Sequence, residues 1–367
     1  MKVVYDAQVF VEQEYGGISR YICALATHLA RLSDMEVKIV APLHVNAYLR
    51  ALSSDIAVGR YVARLPKTAR MIKVLGTAMC TPVASLIRPD LVHETYYAEQ
   101  ALCRAKVPHV LTVYDMIEER FPESFPLGYP LARRKRSAVN RADHVFCISE
   151  NTRRDLLEMY KFPEDRVSVT SLGYDALVPS SRSSRDLVGG SPYILFVAGR
   201  QGYKNFEGLI KAYAASAWLR DGFRVVCFGG GAFSAEERIL MAGLGLSVAQ
   251  VEHVGGGDDR LASLYQGAAA LVYPSKYEGF GIPPLEAMSL DCPVICSSTS
   301  SIPEVVGQAG EYFDPFDHDS IRYSMERVLQ STERRLELVS LGRIRRELFT
   351  WERCAQQTAG IYRRLVT

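Results

Sequence analysis

The chain has 367 residues, 48% hydrophobic and 23% charged, with a formal net charge of +2. That length exceeds one ordinary core and fits two α/β domains, and the composition excludes a disordered chain. Residues 1–172 carry 23 basic against 19 acidic side chains and the remainder 20 against 22, which excludes the concentrated basic surface of a nucleic-acid binder.

The eight cysteines are scattered, with no C-x-x-C pair and no Cys/His cluster. Several, such as Cys147 and Cys227, sit in apolar runs, so they read as buried reduced thiols of a cytoplasmic protein. The first residues, MKVVYDAQVF, read as a strand rather than a signal peptide. No apolar run reaches the roughly 18 residues of a membrane span.

In chain order, apolar runs predict strands at Lys2–Tyr5, Glu36–Ala41, Leu91–His93, His109–Thr112, His144–Ile148 and Val167–Thr170. Helical periods fall between them, notably over Ser19–Leu32 and Thr152–Tyr160, the latter opened by Ser149. The Ser-, Gly- and Pro-rich stretch Pro179–Pro192 reads as a linker. The pattern then restarts, with strands at Tyr193–Val197, Arg224–Phe228, Gln250–His253, Ala270–Tyr273 and Pro293–Cys296. Helices are expected at Phe206–Ala215, from Ala235, at Leu261–Gly267 and at Leu285–Ser289, and the tail Trp351–Leu365 is amphipathic.

This alternation predicts two doubly wound parallel sheets. The expected division is one domain over 1–178, a linker over 179–192, a second domain over 193–348 and a tail helix over 349–367. Ligands of such sheets bind beyond the carboxyl ends of strands, at the switch points. Functional residues are therefore sought directly after strands.

The most informative motif is Glu278-Gly-Phe-Gly-Ile-Pro-Pro-Leu-Glu286, after the strand Ala270–Tyr273. Gly279 and Gly281 let backbone approach a ligand, and the N–H groups of Gly279, Phe280, Gly281 and Ile282 with the helix start suit a diphosphate. Glu278 and Glu286 would repel phosphate, so they are assigned to hydroxyl groups of the transferred sugar and of the ribose. A second motif, Gly199-Arg-Gln-Gly-Tyr-Lys-Asn205, follows Tyr193–Val197. Arg200 and Lys204 would neutralise the diphosphate as the glycosidic bond breaks. A third, Glu14-Tyr-Gly-Gly-Ile-Ser-Arg20, places Gly16 and Gly17 before the first long helix. His93 and Asp115 also end strands, as candidates for a sugar contact and for a hydroxyl or proton acceptor.

Residues 56–89 hold no acid but carry Arg60, Arg64, Lys67, Arg70, Lys73 and Arg88 among apolar residues. The segment Arg60–Arg88, with Arg133-Arg-Lys-Arg136, reads either as a solvated basic face or as a contact with an anionic membrane and a lipid-linked acceptor. No nucleophile elbow, H-E-x-x-H or P-loop is present.

With PSKYEGFGIPPLEAM, GRQGYKNF, GGISRY, CISENTRRDL, SSIPEVVGQAGEYFDP and FTWERCAQQTAGIY, the chain resembles retaining glycosyltransferases of the large family 4, of GT-B fold. The resemblance implies two facing Rossmann-like domains, the first (1–178) binding the acceptor and the second (193–348) the nucleotide sugar, a tail helix (349–367) that returns to the first, no metal and no cofactor beyond a nucleotide-sugar donor, and transfer with retention. It matches Glu278 and Glu286 to the family's paired acids, Arg200 and Lys204 to its phosphate-binding cations, and Gly17 to its glycine near the diphosphate. Many members carry His where this chain has Tyr114, and Gly where it has Asp291.

Wording such as HETYY and VYDMI is similar to bacterial mannosyltransferases of O-antigen and other surface polysaccharides. It implies GDP-mannose as donor, a glycan or polyprenyl-linked acceptor, and a place in the cytoplasm or on the cytoplasmic face of the inner membrane. The alternatives are a UDP-sugar transferase of the same family and a non-catalytic nucleotide-sugar-binding subunit.

Overall fold

The computed structural model describes residues 1–63, 69–179, 190–200 and 202–367, and short, mostly apolar runs form its strands. Strands β1 (Lys2–Tyr5), β2 (Glu36–His44), β3 (Ala57–Tyr61), β4 (Leu91–Glu94), β5 (His109–Val113), β6 (His144–Cys147) and β7 (Val167–Val169) make one sheet. Strands β8 (Tyr193–Val197), β9 (Arg224–Phe228), β10 (Val251–Val254), β11 (Ala270–Tyr273), β12 (Val294–Ser297) and β13 (Gly310–Phe313) make a second. Every pairing is parallel. Central strands such as β4, β6, β8, β11 and β12 are buried along their whole length, because helices cover both faces of a parallel sheet.

The first sheet has the order β3-β2-β1-β4-β5-β6-β7 and the second β10-β9-β8-β11-β12-β13. Each reverses direction once, between β1 and β4 and between β8 and β11. Those two reversals are the switch points where a doubly wound sheet opens a ligand crevice.

The chain divides into two units, Met1–Gly173 with Thr350–Thr367, and Tyr174–Phe349. The helix Trp351–Val366 therefore belongs to the first unit, where it packs on the helix Gly17–Leu29. It starts at Thr350, whose hydroxyl accepts from the Arg353 N–H, and it buries Trp351, Cys354, Ala355, Thr358, Ala359, Ile361 and Tyr362. Gly173 allows the approach of this helix: a Cβ there would lie 2.4 Å from the Trp351 nitrogen. Of the expected linker, residues 180–189 lie outside the described residues, as do Arg64, Lys67 and the side chain of Arg70.

Three elements differ from the sequence expectation. Strand β2 runs through Pro42 to His44, because its register against β3 shifts between Val40 and Leu43, the kind of irregularity that accommodates proline. Strand β3 lies at the edge and is largely exposed, so it carries no apolar period. Strand β13 starts with a glycine that packs against Cys296 and Val306. All eight cysteines are buried free thiols.

Candidate active site

The switch point of the second sheet brings together the segments after β8 and β11. Asn205, in the left-handed region at φ 57°, turns its side-chain amide to donate to the carbonyls of Pro274 (3.1 Å) and Pro315 (2.8 Å). The Lys276 N–H donates to the Tyr203 carbonyl at 2.8 Å. A run of hydroxyls after β12 ties the second segment from below. Ser297 donates to the Ser275 carbonyl and Thr299 to that of Lys276. Ser301 donates to the carbonyls of Glu278 and Phe280, and Ser300 accepts from the Glu278 N–H. Nothing local in SSTSS marks it as this support, because its partners lie about 22 residues earlier.

Lys204 and Glu278 meet in this frame. The Lys204 Nζ stands 2.7 and 2.9 Å from the two carboxylate oxygens of Glu278, both side chains being largely buried. Tyr273 hydrogen-bonds to Glu278 and feels the charge of Glu286, so its hydroxyl is held well above the ordinary tyrosine range, burial being the larger cause. Tyr265 donates to Glu286 at 3.1 Å, and burial with that carboxylate raises its pKa too. Each acid of the motif thus has a buried tyrosine partner that the motifs did not single out.

Gly281 caps the helix Ile282–Ser289 at φ 117°, which strongly favours glycine. Pro283 and Pro284 remove two of the four donors that a helix start normally leaves unsatisfied. The donors that remain are in the loop: the N–H groups of Phe280, Gly281 and Ile282 carry no hydrogen bond among the described residues. The Phe280 ring is buried edge-on against Phe349, so this residue offers a ligand backbone only.

Arg200 is a correction. Its guanidinium turns away from Glu278 into the loop after β9, donating to Glu237 (2.7 Å) and to the carbonyls of Gly229, Gly230, Gly231 and Ala232. It also lies over the Phe233 ring at 4.9 Å. Its charge holds a glycine loop together here, with only 4% of the side chain exposed.

The remaining candidates belong to the first unit. His93 is a second correction. It is fully buried between Tyr5 and Phe146, with Nδ1 against the Tyr362 hydroxyl (2.5 Å) and Nε2 against Thr112 (2.8 Å). Burial lowers its pKa to about 3. It anchors the terminal helix and meets no solvent.

Asp115 remains partly accessible, accepting from the Ile117 N–H at 3.1 Å. Tyr114 is buried and donates to the Thr95 carbonyl. Gly16 precedes the helix Gly17–Leu29 and packs on the Gln13 side chain, while space around Gly17 is open. Asp291 adopts φ 56°, which explains the glycine common at this place, and its carboxylate is held by Arg343.

The basic run Arg133–Arg136 is not a continuous face. Lys135 is buried on Glu118 (2.7 Å) and Glu119 (2.8 Å), and Arg133 is paired with Glu99.

Comparison with known proteins agrees with this architecture. Residues 15–176 match the glycosyltransferase family 4 domain and residues 179–345 the group 1 glycosyl transferases. The chain is 30% identical, over the whole of both chains, to O-antigen chain mannosyltransferase B of Escherichia coli. This chain belongs to glycosyltransferase family 4. It is also 24% identical to O-antigen chain mannosyltransferase RfbU of Salmonella typhimurium, over 86% of this chain and 87% of that one.

Among solved structures, sucrose-phosphate synthase of Thermosynechococcus elongatus superposes with a TM-score of 0.76 at 19% identity, covering 100% and 99% of the two chains. The Anabaena protein HepE in complex with UDP and glucose gives 0.73 at 18% identity, over 98% and 99%. These likenesses establish the GT-B fold. The family-4 chain is a glycosyltransferase.

Proposed function

We propose that this glycosyltransferase moves mannose from GDP-mannose, with retention, to a glycan acceptor of O-antigen synthesis. The reading rests on one observation above all: a buried Lys204–Glu278 pair stands at the switch point of the second sheet, beside three unengaged backbone N–H groups. A diphosphate suits those donors, and its charge competes with Glu278 for Lys204. Once released, Glu278 accepts from hydroxyls of the donor sugar, and Glu286, already held by Tyr265, from those of the ribose. The choice of mannose follows the similarity to O-antigen mannosyltransferases, and that of the guanine nucleotide follows the motif resemblance of HETYY and VYDMI.

In the reaction the acceptor oxygen attacks the anomeric carbon as its bond to the diphosphate oxygen breaks. The departing diphosphate takes the acceptor's proton, and Lys204 with the backbone donors carries the charge that develops. Attack from the face of the leaving group preserves the anomeric configuration.

Incubation with GDP-mannose, UDP-glucose and UDP-galactose, with product configuration read by NMR, tests this. An α-mannoside formed from GDP-mannose alone is expected. Transfer from a UDP-hexose alone would overturn the donor, and a β-linked product would overturn retention.

We also propose contact of the first unit with an anionic membrane through Arg60–Arg88. Met71, Val74, Leu75 and Met79 form an exposed apolar row along the helix Ala69–Ala78 and its end, in a stretch free of acids. Co-sedimentation with anionic vesicles is expected for the wild type and reduced for Met71→Ser/Val74→Ser. Equal sedimentation of the two would refute it.

A further inference from the structure

Two buried tyrosines of the second unit end their side chains on backbone. Tyr193 donates to the Leu264 carbonyl at 2.7 Å, and Tyr213 to the Phe223 carbonyl at 2.8 Å. Bonds of that kind satisfy a phenol within a core and involve no charge. Tyr265 ends differently. It is fully buried on the helix Asp258–Gly267, whose Leu261, Ala262 and Leu264 are buried with it, and its hydroxyl donates to the Glu286 carboxylate at 3.1 Å. That is the hydroxyl's one hydrogen bond among the described residues.

Glu286 stands where core meets solvent. Its neighbours Leu285, Ala287 and Met288 on the helix Ile282–Ser289 are buried, while Glu286 itself is partly accessible. Its backbone is tied, since the Ser289 hydroxyl donates to the Glu286 carbonyl at 2.7 Å. The helix that carries Tyr265 is tied as well, through the Tyr193–Leu264 bond to β8. Two fixed helices thus set the distance between phenol and carboxylate.

A glutamate side chain at a helix surface turns about several bonds, and ordering it around a ligand costs entropy. A phenol held rigidly in the core removes part of that cost before the ligand arrives. A carboxylate oxygen accepts more than one hydrogen bond, so Tyr265 fixes the acid without exhausting it. Burial, with the charge of Glu286, holds the Tyr265 hydroxyl well above the ordinary tyrosine range, so it stays protonated and donates. An acid fixed in this way suits a ligand that brings its own donors in fixed geometry, as the two hydroxyls of a ribose do. A site built to bond hydroxyl groups rejects analogues that lack them, because its polar group is then left unmet.

We infer that Tyr265 is the positioning residue that sets Glu286 for the ribose diol and thereby makes the donor site select ribonucleotides over nucleotides without those hydroxyls. The inference rests on the donor reading above and adds to it the residue behind this selectivity.

Calorimetric titration of the full chain with GDP, UDP and their 2′,3′-dideoxy counterparts tests it without turnover. GDP and UDP carry the same ribose, so neither the base nor the transferred sugar enters the comparison. The wild type is expected to bind a ribonucleotide more tightly than its dideoxy counterpart. In Tyr265→Phe the ribonucleotide Kd is expected to rise about 10-fold while the dideoxynucleotide Kd stays unchanged, which also reports an intact site. Tyr213→Phe, which loses a buried hydroxyl elsewhere in the same unit, is expected to keep the wild-type ratio of the two constants. In a Glu286→Ala background, Tyr265→Phe is expected to alter that ratio no further, because the tyrosine acts through the acid.

An unchanged ratio in Tyr265→Phe, or an equal weakening of both nucleotides, overturns the role of Tyr265 and leaves the donor reading standing. An equal fall of the ratio in Tyr213→Phe, or a further fall in the Glu286→Ala background, also overturns it. Absence of binding by either ribonucleotide to the wild type would overturn the donor reading and this inference together.

Discussion

At the scale of single residues, position after a strand proved informative, and side-chain direction did not. Lys204 and Glu278 follow β8 and β11, and both carbonyl-bound turns aim them at one point. Arg200 follows β8 just as closely, yet Glu237 and a set of glycine carbonyls, none visible from its own neighbourhood in sequence, draw it elsewhere.

His93 shows the same limit, because its partner Tyr362 is 269 residues away. Its pKa of about 3 lies below the roughly 6.5 of an unfolded histidine. Unfolding therefore takes up a proton between those values. The stability that His93 contributes is intact above about pH 6.5 and is lost as pH falls toward 3, at up to about 1.4 kcal/mol per pH unit. Asp6 opposes it: burial raises its pKa to about 6, so its contribution is present at low pH and lost as pH rises through 6. Urea unfolding of His93→Gln at pH 7 and pH 5 checks this. The variant is expected to lose less stability than the wild type on acidification, and an identical loss in both would contradict it.

At the scale of elements, the central strands and the helices between them were legible because their runs are apolar and their starts are capped. Ser149 accepts from the Thr152 N–H at 3.0 Å, as its spacing suggested. The edge strand β3 and the continuation of β2 past Pro42 were not, since tertiary pairing, rather than a local pattern, forms them. The Ser297–Ser301 segment was equally unreadable as a support, because its partners lie some 22 residues earlier. Its consequence is measurable. Ser301→Ala strips the hydroxyl from two carbonyls of the Glu278–Phe280 loop, which costs about 1–3 kcal/mol when such groups are left buried and unmet. We expect a raised donor KM with little change in acceptor KM. A purely structural role would lower the melting temperature and leave the donor KM untouched.

At the scale of the molecule, the pattern of elements was enough to indicate two doubly wound sheets, because strand–helix alternation leaves few other arrangements. The amphipathic period of the tail marked a helix, and its place in the first unit comes from Gly173, Trp351 and the Tyr362–His93–Tyr5 contacts. The Lys204–Glu278 pair stands at the switch point of the second unit, and a cavity of about 330 Å³ opens at that of the first.

The most direct test of the account is the kcat/KM for transfer from GDP-mannose in Lys204→Ala and Glu278→Gln. If Lys204 carries the diphosphate charge and Glu278 holds the donor sugar, each variant loses about 100- to 1,000-fold while remaining folded by circular dichroism. Near wild-type kcat/KM in both would contradict the account.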